Sequence, residues 1–304
     1  FDLLQAYFIT KAGFVGVYAA RTLGIPCVVS ARGNDLERAV FDPARAAHTL
    51  YALQAADALT ANAHSLAQRA QALAPGRAVT LIPNGVDGRR FRPQAAGPAL
   101  RVELGLPADG PVIGFSGEAR AKKGLAVLLV AFRLLAERRA AAGAPPPGLL
   151  LLGGVRPGDD EALVRVFRKQ HPALCVVQTE PLPQAGLADY YALMDVLALP
   201  SLHDGLPNAL LEGMACGRAV AACPAGGIAD VLVDGQNGLL SPPGDAGALA
   251  ENLQRLLDDA DLRARLGAEA RRCVLAQYTP EAELHATLQV YRGCLAAHRL
   301  KEAR

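Results

Sequence analysis

Short apolar segments alternate with longer segments of helical period along most of the chain. The apolar segments have the length of β-strands and lie at residues 1–7, 26–30, 58–60, 79–82, 112–116, 149–153, 175–178, 196–200 and 219–222. Such runs, separated by helical patterns, are typical of buried parallel strands joined by crossover helices. The pattern therefore predicts an α/β fold, with further helices at residues 246–257, 261–277 and 280–299.

The chain is too long for a single hydrophobic core of the usual size. Its 304 residues predict about two domains. Residues 93–111, which contain several Pro, Gly and Ala, are the best candidate for a linker. We expect domains at residues 1–97 and 98–280, followed by a terminal segment at 281–304.

Composition narrows the class of protein. Hydrophobic residues make up 51% of the chain, and there is no uncharged apolar run of about 18 residues, so no transmembrane helix is predicted. The six cysteines are scattered, as is typical of reduced core residues in a cytosolic protein.

The net charge is +2 and is unevenly distributed. Residues 1–98 carry 10 Lys and Arg against 6 Asp and Glu, whereas residues 99–304 carry 21 against 23. The positive excess in the first part is compatible with contact at an anionic membrane surface and equally with a solvated surface. We expect no nucleic-acid partner.

The segment 199–217, LPSLHDGLPNALLEGMACG, contains two acids around a turn that opens a helix. A helix that begins near Pro207 directs free backbone N–H groups and its positive dipole end at the preceding loop, which suits a diphosphate. Glu212 is expected beside a buried apolar stripe, where a ribose diol is a suitable partner for its carboxylate. The simpler alternative is a helix-capping Asp204 followed by a solvated Glu212.

At these residues the chain resembles the retaining glycosyltransferases of family four, which have the GT-B fold and carry a Glu-x7-Glu motif here. This chain has Asp204-x7-Glu212. The resemblance assigns Glu212 to the donor ribose and Asp204 to the donor sugar. The donor-binding residues that it implies are Gly117, Gly205, Leu206, Pro207, Asn208, Leu211 and Glu212.

The resemblance also implies an architecture: an α/β fold of two Rossmann-like parallel-sheet domains that face each other across a cleft. Residues 1–97 would be the acceptor-side domain, and residues 98–280 the domain that binds the nucleotide-sugar donor. Residues 281–304 would form a helix that packs back toward the first domain. Because the chain begins at Phe1 inside an expected strand, we expect the first domain to be incomplete.

Residues 113–124, IGFSGEARAKKG, combine a strand, a glycine turn and several cations. Lys and Arg placed beforehand stabilise negative charge on a leaving diphosphate. In the family, an Arg directly after the glycine and a Lys before the next glycine hold this diphosphate. Lys123 matches the second position, but Glu118 occupies the first, so Arg120 is expected to substitute. With Asp204, Arg120 and Lys123 form the expected catalytic set; the alternative is a polar loop with incidental cations.

Three other segments match the family in part. In residues 81–87, LIPNGVD, a structural turn is the favoured role. Arg32, in the loop 30–35, is a candidate contact to the donor or acceptor sugar, or else an exposed loop residue. Residues 225–230 carry Asp230 where the family has Glu.

The Asp pair at 259 and 261 is interpreted as a solvated helix boundary, and no essential metal or cofactor is expected.

The sequence thus predicts a retaining glycosyltransferase that moves a sugar from a UDP- or GDP-type donor to a glycan or lipid-linked acceptor. Synthesis of cell-surface polysaccharide or glycolipid, in the cytoplasm or at the inner membrane face, is the expected setting. Two alternatives stay open: a GT-B epimerase or phosphorylase, and a catalytically degenerate protein that binds sugar nucleotides. Glu118, Asp204 and Asp230 depart from the family pattern and motivate the second alternative.

Overall fold

A computed structural model describes residues 1–33, 36 and 39–302 of the chain. The chain forms two compact units, and each unit contains one parallel sheet. The first unit comprises Phe1–Gly85, Asp204–Leu206 and Tyr278–Arg304. The second unit comprises Val86–His203 and Pro207–Gln277. The predicted α/β fold with two parallel-sheet domains is thereby confirmed.

The strands are short and the helices between them are longer. The strands are β1 Leu4–Tyr7, β2 Cys27–Ala31, β3 Ala58–Ala61, β4 Val79–Leu81, β5 Val112–Ser116, β6 Gly148–Leu152, β7 Cys175–Gln178, β8 Val196–Leu199, β9 Ala219–Ala222 and β10 Leu239–Leu240. The α-helices span Lys11–Leu23, Pro43–Ala55, His64–Leu73, Pro98–Glu103, Leu125–Ala141, Asp159–Gln170, Leu187–Leu193, Asn208–Ala215, Ile228–Val231, Ala246–Asp258, Ala260–Gln277 and Pro280–Glu302. Within the described residues, no helix is both long and apolar enough to cross a membrane.

The first unit has a four-stranded sheet in the order β1-β2-β3-β4. Strand β2 is buried along its whole length, and its Val29 lies in one core with Leu53 and Leu59. Helix Lys11–Leu23 lies close to the sheet at Gly16, where an added Cβ atom would stand 2.9 Å from the Cβ of Ala6. The small residue therefore allows the close approach of helix and strand.

The second unit has a six-stranded sheet in the order β10-β9-β8-β5-β6-β7. Beginning at β5, the chain adds β6 and β7 on one side and then returns to add β8, β9 and β10 on the other. This is the doubly wound order, and its reversal point lies between β5 and β8. The core beneath it contains Phe115, Phe132 and Leu253 at 1% exposure or less.

Several predicted boundaries need correction. The buried strand expected over residues 1–7 is limited to Leu4–Tyr7, because Phe1 is fully exposed. The expected linker 93–111 contains helix Pro98–Glu103, and the chain first passes from one unit to the other between Gly85 and Val86. Strand β10 has only two residues, which is too short for an apolar pattern to predict it.

All six cysteines are free thiols. Cys27, Cys216, Cys223 and Cys294 are buried, whereas Cys175 and Cys273 are half-buried. Burial raises the pKa of the Cys27 and Cys216 thiols to about 12. These thiols therefore behave as small apolar core groups at neutral pH.

The glycines of two C-terminal helices provide a test of the packing. A Cβ atom at Gly267 would stand 2.3 Å from the carbonyl oxygen of Gly217, whereas at Gly293 nothing lies within 4 Å. Gly267→Ala is expected to lower the free energy of unfolding by about 1–3 kcal/mol through overpacking. Gly293→Ala should raise it by about 0.5–1 kcal/mol, because alanine favours the helix. Urea unfolding followed by circular dichroism measures both, and equal effects would contradict the described packing.

Candidate functional site

The second sheet reverses its strand order between β5 and β8, and the carboxyl ends of these two strands carry the candidate site. Strand β5 ends at Ser116 and β8 ends at Leu199, and the two strands pair directly. Doubly wound sheets bind ligands in the crevice outside such a reversal point. The loops that follow Ser116 and Leu199 are therefore the first place to look for a ligand.

Glu212 is a buried carboxylate close to this point. It lies on helix Asn208–Ala215, which follows β8, and is 8% exposed. The helix buries it because Leu210, Leu211 and Met214 around it are core residues. The Tyr191 hydroxyl lies 2.8 Å from Oε2 of Glu212 and 2.8 Å from Oγ of Ser116.

Burial and hydrogen bonding act in opposite directions on this carboxylate. Burial raises the pKa of Glu212 above its ordinary value, while hydrogen bonds to Tyr191 and Gln184 act to lower it. Burial and the neighbouring Glu212 also raise the pKa of Tyr191 well above its ordinary value, so the phenol keeps its proton. A neutral phenol beside a carboxylate is a hydrogen-bond donor, and it leaves acceptor positions of the carboxylate open.

The loop after β5 carries the cations. Its backbone is held by Gly117 and Ala119, whose N–H groups donate to Leu152 and Gly154. Arg120 forms an ion pair with Glu118, with Nη1 3.1 Å from Oε2. Its Nε is buried and has no hydrogen-bond partner in the part of the chain that the structure describes. Arg120 is therefore only partly neutralised and keeps a donor available.

The loops after β5 and β8 are packed against each other. The carbonyl oxygen of Lys122 accepts hydrogen bonds from the N–H groups of Leu202 and His203. Gly124, with φ +77°, lies so close to Pro200 that an added Cβ atom would stand 1.9 Å from the Pro200 carbonyl oxygen. Only glycine fits this position, and it allows the two loops to meet.

Ser201 supplies a second polar atom that lacks a partner within the described part of the chain. It follows β8 and is 1% exposed, and its Oγ has no hydrogen-bond partner among the residues described. A buried polar group without a partner is costly, and it commonly marks the place of a water, an ion or a ligand. Ser201 and Arg120 thus both offer hydrogen bonds at the carboxyl edge of the second sheet.

The helix that carries Glu212 begins at Asn208, one residue later than the sequence suggests. Pro207 flanks the helix in an extended conformation, with φ −74° and ψ 129°, and no side chain caps the helix from this position. The positive end of the helix dipole lies at this end, and the Leu210 N–H of the first turn donates to the Pro207 carbonyl. Pro207 therefore lies outside the first turn, contrary to the prediction, but this end of the helix still suits an anion.

Residues Asp204–Leu206 belong to the first unit. Asp204 is buried, and its Oδ1 accepts a hydrogen bond from the Gly205 N–H at 3.1 Å. A Cβ atom at Gly205 would stand 2.9 Å from the Arg32 carbonyl oxygen and 3.0 Å from Oδ1 of Asn62. The glycine therefore lets this short segment pack closely in the first unit.

Asn84 is the centre of a hydrogen-bond network in the first unit. Its Oδ1 accepts from Nη1 of Arg32 at 2.6 Å and from Nδ2 of Asn62 at 3.2 Å, and its Nδ2 donates to the Leu206 carbonyl at 2.9 Å. The next N–H, that of Gly85, donates to Glu283 at 2.8 Å. The Asn-Gly turn thus makes structural contacts.

Arg32 is engaged on several sides. Besides its hydrogen bond to Asn84, it forms an ion pair with Glu283, with Nη2 3.7 Å from Oε1. Its guanidinium carbon lies 4.6 Å from the centroid of the Tyr7 ring. These contacts hold the side chain in one orientation. Asn34 and Asp35 of the same predicted loop lie outside the described residues.

The predicted site residues fall in both units. The second unit holds Gly117, Arg120, Lys123, Pro207, Asn208, Leu211 and Glu212, and the first holds Arg32, Asp204, Gly205 and Leu206. Leu211 is completely buried, so its side chain has no surface for a ligand. Asp230 is exposed on its short helix, and Asp259 caps a helix by accepting from the Leu262 N–H. Within the described part of the chain, no group of three His, Cys, Asp or Glu side chains is placed to hold a metal.

Tyr191 and Ser116 were not among the predicted ligand-binding residues. Tyr191 is hidden in the apolar pattern of helix Leu187–Leu193, and only its contact with Glu212 distinguishes it from an ordinary core aromatic. The only sequence signal is that a buried tyrosine hydroxyl needs a polar partner.

Comparison with known proteins gives consistent matches over both units. Residues 110–259 match the family described as Glycosyl transferases group 1, and residues 1–90 match Glycosyltransferase Family 4. A D-inositol 3-phosphate glycosyltransferase of Streptomyces avermitilis is 30% identical, over 98% of this chain and 67% of that protein. D-inositol 3-phosphate glycosyltransferase 2 of Catenulispora acidiphila is 32% identical, over 96% of this chain and 70% of that protein.

Solved structures show the same fold. Sucrose-phosphate synthase from Thermosynechococcus elongatus has a TM-score of 0.81 and 27% identity, over 98% of this chain and 74% of that one. The Anabaena protein HepE in complex with UDP-glucose has a TM-score of 0.80 and 22% identity, over 96% of this chain and 78% of that one. The chain therefore belongs to the family-four, group 1 glycosyltransferases, which are enzymes of the GT-B fold.

Proposed function

We propose that this glycosyltransferase uses a nucleoside-diphosphate sugar of the UDP or GDP type and transfers the sugar to a hydroxyl acceptor with retention of configuration. The observation that carries the proposal is the buried carboxylate of Glu212 at the reversal point of the second sheet. An ionised carboxylate accepts about four hydrogen bonds; Tyr191 takes one of them and Gln184 takes another. A ribose diol supplies two donors of suitable geometry.

The same edge provides groups for a diphosphate. The helix that begins at Asn208 directs the positive end of its dipole at this edge, and Nε of Arg120 and Oγ of Ser201 are buried without partners among the described atoms. Lys123 adds a half-buried cation on the same loop as Arg120. Donors fixed before the reaction stabilise charge that develops on a leaving group, and this is commonly a large part of catalysis.

The proposed transfer needs no covalent intermediate with the protein. The bond between the anomeric carbon and the leaving phosphate oxygen breaks, and the acceptor oxygen forms its bond on the same face. The acceptor's proton passes to the leaving phosphate. Arg120 and Lys123 stabilise the departing diphosphate, and Asp204 is proposed to meet the donor sugar. Because these cations carry the charge, we propose a reaction without a metal or other cofactor.

The relatives suggest where to begin with substrates. The Anabaena structure contains UDP-glucose, so UDP is the first nucleotide to test. The Streptomyces and Catenulispora relatives are named for D-inositol 3-phosphate, which is the first small acceptor to test. For the physiological acceptor we propose a glycan or lipid-linked glycan in cell-surface polysaccharide or glycolipid synthesis, on the cytoplasmic side.

Substitution of Glu212 tests the nucleotide site. Glu212→Gln keeps the shape of the side chain but removes its charge, and a hydrogen bond to a charged group is worth about 1.5–3 kcal/mol. Affinity for UDP or GDP should therefore fall about 10- to 150-fold. Thermal shift of both proteins with UDP-, GDP- and ADP-sugars measures the loss and identifies the base.

Glu251→Gln is the matched control, because Glu251 is exposed on a helix of the same unit. It should respond to nucleotide as the wild type does. Equal stabilisation of wild type and Glu212→Gln would contradict the proposed site. Binding that depends on Glu212, but without transfer or hydrolysis, would instead favour a degenerate sugar-nucleotide binding protein.

Glu118 is expected to compete with the diphosphate for Arg120, because the two form an ion pair at 3.1 Å. Both side chains are partly exposed, and such pairs contribute about 0.2–1 kcal/mol. Glu118→Gln should therefore tighten UDP binding about 1.5- to 5-fold, as measured by calorimetry.

The control for this variant is Glu137→Gln, which breaks the Arg133–Glu137 ion pair of 2.5 Å on a helix of the same unit. Its affinity for UDP should match the wild type. Weaker binding by Glu118→Gln would show that Glu118 positions Arg120 rather than competing for it.

A further inference from the structure

Tyr191 is held rigidly in the core of the second unit. It is 0% exposed, and its ring packs edge-on against Phe91, with the centroids 6.0 Å apart. Its hydroxyl lies 2.8 Å from both Ser116 and Glu212. A buried ring of this kind has one orientation, so the position of its hydroxyl is set by the core.

The direction of these hydrogen bonds follows from their chemistry. A phenol has one proton to donate, and an ionised carboxylate can only accept. Tyr191 therefore donates to Oε2 of Glu212, and the Ser116 hydroxyl donates to the Tyr191 oxygen. The result is a chain of donors from the end of β5 to the carboxylate.

We propose that Tyr191 is a positioning residue for the donor nucleotide: it fixes the Glu212 carboxylate so that the remaining acceptor positions meet the ribose diol. Ser116 completes the arrangement by fixing the Tyr191 hydroxyl. The inference rests on the proposed function, since it requires Glu212 to bind the nucleotide. It adds a residue that itself has no contact with the ligand.

The surroundings of Glu212 explain why such a residue is needed. Burial favours the protonated carboxyl, and the hydrogen bond to Tyr191 acts against this by lowering the pKa. Tyr191 and Gln184 are hydrogen-bonded to Glu212. The charged groups that act on the neighbouring Cys216 are Arg218, Arg271 and Glu212 itself. Tyr191 and Cys216 both stay neutral, because burial raises the pKa of each, that of Cys216 to about 12.

Tyr191→Phe removes only the hydroxyl and tests the inference. Calorimetric titration with UDP, and in parallel with 2′-deoxy-UDP, should be repeated between pH 5 and pH 8. We expect about tenfold weaker UDP binding and a smaller preference for UDP over the deoxy nucleotide. Without the hydrogen bond the pKa of Glu212 rises further, so the carboxylate takes up its proton at a higher pH than in the wild type. On acidification, the variant should therefore lose UDP binding at a higher pH than the wild type does. A loss of packing alone would not shift this pH profile.

Tyr190→Phe is the matched control: it makes the same change at the preceding residue of the same helix, and UDP binding should be unchanged. Ser116→Ala should shift the pH profile in the same direction by a smaller amount. If Tyr191→Phe is not folded by circular dichroism, Ser116→Ala decides the question, and an unshifted profile would overturn the inference.

The variants also separate this inference from the proposed function. If Glu212→Gln loses UDP but Tyr191→Phe binds it like the wild type, only the positioning role is wrong. If Glu212→Gln binds UDP like the wild type, or the wild type binds neither UDP nor GDP, the nucleotide site itself is wrong and the inference fails with it.

Discussion

A carboxylate buried in an apolar helix face is the constraint on which the second unit depends. The Glu212 side chain is almost fully buried, and an ionised group in such a place is costly unless donors meet it. Tyr191 meets one oxygen, and Ser116 supports Tyr191. Because these three side chains come from two helices and one strand, the core must place all three elements to within hydrogen-bond distance. This arrangement favours a ligand that provides the remaining donors.

The loops at the same edge show a second form of preorganisation. Gly124 approaches the Pro200 carbonyl too closely for any other residue, and the Lys122 carbonyl ties the loop after β5 to the loop after β8. These contacts place Arg120 and Ser201 in the loops of two paired strands, while each keeps a buried atom that has no hydrogen-bond partner among the described residues. Fixed donors of this kind need little rearrangement when a charged ligand arrives.

Much of the fold could be predicted from the sequence, because buried parallel strands are continuous apolar runs. The bounds of β5, β7 and β9 were predicted to the residue. Tyr191 could not be predicted as a site residue. The apolar pattern shows that its helix is partly buried, but it does not show which side chains of other elements will form hydrogen bonds with the buried hydroxyl. The helix at Pro98–Glu103 was missed because Pro, Gly and Ala dominate its surroundings, and the contacts of the second unit outweighed that local composition.

The family match establishes the class of enzyme, and the chemistry proposed for it depends on what Glu212 binds. The most direct measurement is a crystal structure of the protein with UDP or GDP. A ribose hydroxyl within hydrogen-bond distance of Glu212, with Tyr191 still donating to the other carboxylate oxygen, is the expected result. A nucleotide bound away from Glu212, or a ribose that makes no contact with it, would contradict the proposed donor site.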